Sequence, residues 1–368
     1  MAKQSGKMEN LVMLEKLRSS YKDKKVFLTG NTGFKGAWLT ACLFELGANI
    51  KGYALEPEYE NSLFEVLQPL RLSKNIFADI RNSKQLKDEL ISFEPDYIFH
   101  LAAQPLVRRS YKIPAETFEV NVIGTANLLE AAIHLKKKCT IIIITTDKVY
   151  ENKEKDILYN EDDLLGGYDP YSASKACCEL VVSSFRNSFF NISSIDLHRK
   201  AIASARAGNV IGGGDWSTDR LVPDIIRSLE KQITIELRNS GAVRPWQHVL
   251  EPLTGYLKLG ALLNDHPDKY SKSYNFGPLS NDHLSVKELV ETAIRSWGGG
   301  TWKDISNKEE PHEAGLLKLD ISKAKNELEW HPKLNAFKSI DWTVKWYQQP
   351  KENMVAYTFE QIKDYLSL

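Results

Sequence analysis

Cysteine is scarce in this chain, and the four that occur, Cys42, Cys139, Cys177 and Cys178, form no C-x-x-C pair. A clustered thiolate metal site has no ligand spacing to support it, and free thiols in a reducing compartment are expected. An excess of charge of one sign is missing too, because 48 basic and 48 acidic side chains cancel. Nothing therefore points to nucleic acid, and no long like-charge block suggests an interaction tail. The short run Lys136-Lys137-Lys138 reads as the solvated end of a helix, where positive charge suits the dipole. No apolar run is long enough to cross a bilayer, and the N-terminus lacks the apolar core of a signal peptide, so no membrane partner and a cytoplasmic location are expected. There are no internal repeats and no low-complexity tract.

What remains is an ordinary globular composition, 42% hydrophobic and 26% charged over 368 residues. That length predicts two domains, or one large domain carrying a lobe. Residues 1–23 read as an N-terminal extension with a short amphipathic stretch from Leu11 to Leu17. From residue 25 to 185 strand and helix alternate, which predicts a Rossmann-type, doubly wound parallel α/β sheet over 24–190, with later segments returning to it. Past residue 190 the alternation breaks, and 191–349 read as a smaller mixed substrate lobe followed by a tail over 350–368. The tryptophans of that lobe, Trp297, Trp302, Trp330, Trp342 and Trp346, read as a small core.

The first strand, Lys25 to Thr29, runs into Gly30-Asn31-Thr32-Gly33-Phe34-Lys35-Gly36 and then a helix over Ala37 to Leu46. Strand, glycine turn and helix are the setting a dinucleotide pyrophosphate needs, since glycines let the backbone approach and the helix start supplies N–H groups. After the second strand, Asn49 to Ala54, Glu56 is the candidate acid for the ribose hydroxyls, with an exposed surface glutamate as the other reading. This stretch offers no arginine for a 2′-phosphate, and its single basic residue is Lys51, so NAD is favoured over NADP. Asp79, near the end of the strand Asn75 to Arg81, either accepts from an adenine amino group or satisfies the turn before the next helix. Ala102 and Ala103 close the fourth strand, Asp96 to Gln104, with small side chains that leave room for a cofactor. His100, earlier in that strand, reads as a packed core histidine. A long helix is expected from Val120 to Leu135.

The isoleucines Ile141 to Ile144 predict a buried parallel strand, so Thr146-Asp147-Lys148 leave the sheet at its carboxyl end, where ligands of open α/β sheets bind. Beyond a Gly-Gly and Asp-Pro loop, Tyr171 and Lys175 fall one turn apart on a helix. A cation beside a phenol favours the phenolate, so this pair suits removal of a hydroxyl proton.

These motifs resemble the extended short-chain dehydrogenase/reductases that modify nucleotide sugars. The likeness rests on Gly30-x-x-Gly33-x-x-Gly36, Asp79, Leu101-Ala102-Ala103, Asn121-Val122-x-Gly124-Thr125 and Tyr171-x-x-x-Lys175, and spans roughly residues 24–345. Within that family, Gly33 to Leu39, Gln104 to Tyr111, Gly208 to Trp216 and Arg244 to His248 look most like the CDP-glucose 4,6-dehydratases. The resemblance implies a hydro-lyase with NAD as cofactor and CDP-glucose as substrate, serving deoxysugar synthesis for surface polysaccharides such as the O-antigen of lipopolysaccharide. It implies cofactor contacts from Gly30, Thr32, Gly33, Phe34, Gly36, Glu56, Asp79, Ile80, Ala102, Ala103, Gln104, Asn121, Tyr171 and Lys175. Catalysis would fall to Thr146 at the C4 oxygen, Asp147 as acid at C6, Lys148 as base at C5, and Tyr171 and Lys175 at the C4 hydroxyl. Many relatives carry Asp-Glu where this chain has Asp147-Lys148, so Lys148 is either the base or a residue that positions the sugar. Arg108, Asn209, Arg220, Leu221, Arg244 and Asn275 are the implied substrate contacts. Glu310-Pro311-His312-Glu313 stands where relatives often have an Arg-Pro-Gly-His, so no arginine carries over there. A homodimer through the helices of Val122–Leu135 and Tyr171–Phe185 is also implied. A nucleotide-sugar 4-epimerase and a non-catalytic dinucleotide-binding protein are the competing readings.

Overall fold

The computed structural model describes residues 14–305 and 317–368. Seven parallel strands form the central sheet: β1 (Lys25–Thr29), β2 (Asn49–Ala54), β3 (Lys74–Phe77), β4 (Tyr97–His100), β5 (Cys139–Ile144), β6 (Lys200–Ala207) and β7 (Ser273–Phe276). Their order is β7-β6-β5-β4-β1-β2-β3, so the chain first winds outward from β1 and then crosses back to β4. The strand order reverses between β1 and β4, and there the carboxyl ends of the strands part to leave a cleft.

Among the described residues, nine longer helices complete the body: α1 (Phe34–Glu45), α2 (Ser83–Phe93), α3 (Gly124–Ile133), α4 (Pro170–Ser188), α5 (Leu221–Glu230), α6 (Leu250–Asp265), α7 (Val286–Trp297), α8 (Ala336–Tyr347) and α9 (Met354–Ser367). The period of two along each strand explains why the sheet needs cover on both faces. Val26 and Leu28 of β1, with Ile142 and Ile144 of β5, face one core together with α1, α6 and α8. Phe27, Ile141 and Ile143 face the other, with Leu86 and Leu90 of α2, Leu128 and Leu129 of α3, and Val182 of α4. Four consecutive isoleucines thus serve two cores, and cutting one back to Ala costs about 2–5 kcal/mol.

Differences from expectation are local. β3 ends at Phe77 and β4 at His100, so Asp79 and Leu101–Gln104 lie in the turns beyond them. The helix expected from Val120 begins as a wide π-type turn over Glu119–Ile123 before α3. β6 and β7, from the second half of the chain, return to the sheet, and only the remainder of 191–349 builds the lobe. Residues 350–368 are no loose tail: α9 packs Ile362, Tyr365 and Leu366 into the main core. The described part of the N-terminal extension is helical, with Leu17 and Tyr21 buried and the Tyr21 hydroxyl donating to Leu257 O at 2.7 Å. Residues Leu11–Met13 and the Glu310–Glu313 segment lie outside the described residues. Of the five tryptophans expected to build the lobe's core, Trp330 and Trp346 are buried, and Trp346 lies against Gly213, where an added Cβ would come within 2.0 Å of the ring.

Candidate active site

A cleft of about 1350 Å³ runs from the glycine turn after β1, across the ends of β4 and β5, to the lobe. Its cofactor end is shaped by what is missing. Gly30 has φ +73°, and a Cβ there would sit 2.6 Å from the Ala102 nitrogen, so the turns after β1 and β4 touch backbone to backbone. A Cβ on Gly36 would lie 2.0 Å from the Gly30 carbonyl oxygen. Gly33 is the N-cap of α1 and offers no side chain to its first N–H groups, which leaves them for an anion. Thr32, Phe34, Glu56, Asp79, Ile80, Ala102, Ala103 and Gln104 all line this end.

Two details bear on the adenosine end. Asp79 is occupied by Arg81, which gives it its backbone N–H at 2.8 Å and its guanidinium at 2.7 Å, and these bonds hold the carboxyl below its ordinary range. Arg81, in the turn four residues past the end of β3, was not anticipated at the cleft. Its charge is spent on Asp79 and on Glu119 and Glu116, at 3.3 and 3.7 Å. Lys51 points the other way, its ammonium paired with Glu89 of α2. Neither cation is free to receive a 2′-phosphate.

Asn121 does not line the cleft. Its carbonyl accepts from the Gln104 N–H at 2.8 Å, and its amide donates to Ser174 Oγ at 2.8 Å and to the Gln104 carbonyl at 3.2 Å. The expected cofactor ligand is instead a buried tie between the turn after β4 and helix α4. His100 is packed as expected, its ring nitrogens meeting Thr29 and Thr125 at 2.7 and 3.1 Å, and burial pushes it down to about 3.

At the catalytic end α4 begins cleanly. Asp169 caps it by accepting from the Ser172 N–H at 2.9 Å, Pro170 occupies the first turn, and Tyr171 and Lys175 follow on the cleft side. Lys175 is buried and donates to the Ile144 carbonyl at 3.3 Å, and burial lowers its pKa. The Tyr171 phenol is pushed up to about 12 by burial, against the pull of a hydrogen bond with Thr146 and, more weakly, of the Arg220 charge. Desolvation outweighs a nearby charge here.

Thr146 caps the short turn Asp147–Val149, its oxygen accepting from the Lys148 N–H at 3.4 Å while its hydroxyl donates to Asp147 Oδ1 at 2.9 Å. Thr146 and Lys148 line the cleft; Asp147, 2% exposed, lies directly behind them. Lys148 Nζ stands 3.6 Å from Asp147 Oδ1 and donates to Asn209 Oδ1 at 3.3 Å. The strand end therefore collects a hydroxyl, a carboxyl and an amine within one turn, facing a phenol.

Sequence reasoning missed Lys35. It sits in the first turn of α1 within the glycine motif, lines the cleft, and reaches Tyr256 OH of α6 at 3.4 Å. No ion pair holds it among the described residues. Burial, with Arg220, Lys175 and Lys148 nearby and Asp147 opposing them, lowers it to about 7. The cue was a lysine in place of an apolar residue at a helix position facing the sheet ends.

On the lobe side Arg220 caps α5 and pairs with Asp215 at 3.1 Å, and Leu221, Arg108 and Arg244 join it along the cleft wall. Asn275 does not: it is fully buried, giving its amide to the Tyr159 and Asp320 carbonyls and accepting from Tyr150 OH at 2.7 Å. It braces the lobe from behind. Beneath the site a buried pair, Glu179 and Arg206 at 3.0 Å, binds α4 to β6, and Glu179 also receives the Thr145 hydroxyl at 2.5 Å.

Comparison with known proteins places this geometry. The model for the family described as GDP-mannose 4,6 dehydratase matches residues 27–342. CDP-glucose 4,6-dehydratase of Salmonella typhimurium is 44% identical over 352 residues, 95% of this chain and 98% of the relative. CDP-paratose 2-epimerase of Salmonella typhi is 26% identical, covering 87% of this chain and 99% of its own. The solved structure of DesIV, dTDP-glucose 4,6-dehydratase of Streptomyces venezuelae with NAD and TYD bound, has the same fold, with a TM-score of 0.75 at 22% identity over 90% of this chain and 99% of that one. A match that runs from β1 into α8, through every element lining the cleft, assigns the chain to the GDP-mannose 4,6 dehydratase family.

Proposed function

We propose that this protein uses NAD to convert CDP-D-glucose into CDP-4-dehydro-6-deoxy-D-glucose and water. The observation that carries the reading is the Thr146-Asp147-Lys148 turn held against Tyr171, in a chain 44% identical to a CDP-glucose 4,6-dehydratase. NAD suits the cleft: Gly30 and Gly36 exclude any Cβ where the backbone must come close, α1 begins uncapped, and Arg81 is neutralised by carboxylates. When bound, the nicotinamide accepts a hydride from sugar C4 and gives it back at C6.

The chain's own residues divide the remaining work. Lys175 holds the nicotinamide ribose. Tyr171 takes the C4 hydroxyl proton, and Thr146 hydrogen-bonds the C4 oxygen. The new ketone acidifies the C5 proton, which Lys148 removes as an amine, and Asp147 protonates the departing C6 hydroxyl. Arg220 and Arg244 suit the diphosphate, whose oxygens match a planar guanidinium fork, with Arg108, Asn209 and Leu221 along the wall. Asn275 supports this surface through Tyr150 rather than touching the sugar. In this reading residues 24–190 with β6 and β7 serve NAD, and the rest of 191–349 serves the nucleotide sugar. Exposed Ile123, at the end of the π-type turn, and Leu180 of α4 suit a homodimer. A cytoplasmic location belongs to the same reading.

Mass and proton spectra of CDP-glucose incubated with the protein and NAD test it. Loss of one water with a new C6 methyl signal is the expected result. An unchanged mass with a shifted C4 proton would make the protein an epimerase.

A further inference from the structure

We propose that Lys35 serves a nucleotide diphosphate as its counter-ion, at the place where the cofactor and substrate ends of the cleft meet. The inference rests on the dehydratase reading and gives work to a cation which that reading leaves idle.

The argument starts from partners. Lys35 leaves the first turn of α1, whose start has no side-chain cap, and lines the cleft. Its Nζ donates to Tyr256 OH of α6 at 3.4 Å and lies 5.8 Å from the centre of that ring. An ammonium carries three N–H donors, so one bond to a phenol leaves it underused. The neighbouring cations are better served. Arg220, at the start of α5, pairs with Asp215 at 3.1 Å, and Lys148, after β5, stands 3.6 Å from Asp147. Lys175 of α4 donates to the Ile144 carbonyl at 3.3 Å. Lys35 has no carboxylate of its own among the described residues. The charges that act on it are those of Arg220, Lys175 and Lys148, opposed by Asp147 alone. The hollow is too positive for its own side chains to balance.

A diphosphate diester supplies what is missing. Each phosphate brings a negative charge and oxygens that accept from an ammonium, and neither has a proton to give near neutrality. Two such groups reach this cleft in the dehydratase reading. One belongs to NAD, whose pyrophosphate suits the uncapped start of α1, and the other to the nucleotide sugar, which suits Arg220. Lys35 stands between these places and shares its chemistry with both. Burial and the surrounding cations lower it to about 7, so above that pH the unliganded amine is mostly neutral. An arriving diphosphate favours the ammonium. Binding must then draw a proton from the buffer onto Nζ, and affinity must fall as pH rises past 7 toward the liganded pKa.

Binding heats in buffers of differing ionisation enthalpy count the protons exchanged. NAD is titrated into the NAD-free full chain, and cytidine 5′-(methyl diphosphate), which has no sugar to react, into the NAD-loaded protein. At about pH 8 the diphosphate that Lys35 serves should bring close to one proton with it, and its affinity should fall about tenfold per pH unit there. Lys35→Met should abolish the uptake and cost about 10- to 100-fold in affinity near neutrality, the worth of a charged hydrogen bond. Lys35→Arg, charged at every working pH, should bind without uptake and without that pH dependence. A lysine that only packs against Tyr256 could be replaced without changing the proton count. Uptake that Lys35→Met removes names the cofactor if it occurs with NAD, and the nucleotide sugar if it occurs with the cytidine diester. No uptake with either ligand, or uptake that survives in Lys35→Met, would overturn the role of Lys35, even in a protein that dehydrates CDP-glucose. Uptake lost in Lys35→Met, in a protein that leaves CDP-glucose unchanged, would uphold that role and overturn the dehydratase reading instead.

Discussion

The two ends of the cleft are built on opposite principles. The cofactor end is made of backbone: Gly30 and Gly36 leave out atoms that would collide at 2.6 and 2.0 Å, and the helix start supplies N–H groups. The catalytic end is made of side chains that have lost water. There a phenol stands near 12, a lysine near 7 and a carboxyl is 2% exposed, gathered beside the carboxyl ends of β1 and β5. The first end depends on shape and the second on burial of charge. A substitution should therefore damage binding at one end and chemistry at the other.

Tyr171→Phe should give the largest effect and the sharpest contrast. Removing the phenol from the catalytic end should lower kcat about 1000-fold while dinucleotide binding and the thermal midpoint stay near the parental values. A parallel loss of NAD affinity, measured by fluorescence titration, would blur the two ends into one. Next comes Gly36→Ala. Its Cβ meets backbone, not a mobile side chain, so the turn must shift, and NAD affinity should fall about 100-fold, for a loss near 2.7 kcal/mol. Rates at saturating NAD should fall far less than in Tyr171→Phe.

The same contrast decides what could be read in the sequence. Spacing along the chain exposes a backbone device, so the glycine turn, the strand after it and Tyr171-x-x-x-Lys175 were legible directly, as was the parallel sheet from its buried runs. Burial of charge depends on what the fold brings from elsewhere, and there reading along the chain failed. Nothing near Lys35 announces Arg220, Tyr256 or Asp147, which come from three other elements. Asn121 and Asn275 stand in familiar motifs, but their amides are consumed by carbonyls and hydroxyls 17 to 125 residues away. Arg81's arrival at the adenosine end was hidden for the same reason. Its partners Glu116 and Glu119 belong to the segment before α3.

Lys35 gives a smaller, pH-dependent effect. Its pKa is lower in the folded chain, about 7, than in the unfolded one, about 10.4, so between those values the unfolded state binds more protons and stability rises with pH. Below pH 7 the folded chain carries a buried charge that Lys35→Met removes. The variant should therefore gain thermal stability at about pH 6 relative to the parental protein, and lose that advantage by about pH 10. Glu251, pushed up to about 7 by burial, works in the opposite sense, because its folded pKa lies above its unfolded one and its stabilisation fades as pH rises. The comparison must for that reason be variant against parent at each pH, not one profile alone. An equal difference at both pH values would mean that Lys35 keeps an ordinary amine.

The mouth of the cleft belongs to neither end and should matter least. Arg109 and Glu58 meet across it at 3.6 Å, one from the helix Val107–Lys112 and the other from the loop after β2, with side chains 49% and 62% exposed. Both line the cleft, so the pair is placed to fasten the two walls over a bound dinucleotide. Water and salt screen such a pair, and the ordering of two long side chains offsets what attraction remains, leaving about 0–1 kcal/mol. Arg109→Ala should accordingly leave kcat unchanged and speed NAD release by no more than about 5-fold, with the difference vanishing at high salt. Stopped-flow displacement of NAD at low and high ionic strength measures this. A release rate raised by orders of magnitude, and insensitive to salt, would mean that the mouth is a third structural device. The backbone turn would then not be sufficient to hold the cofactor.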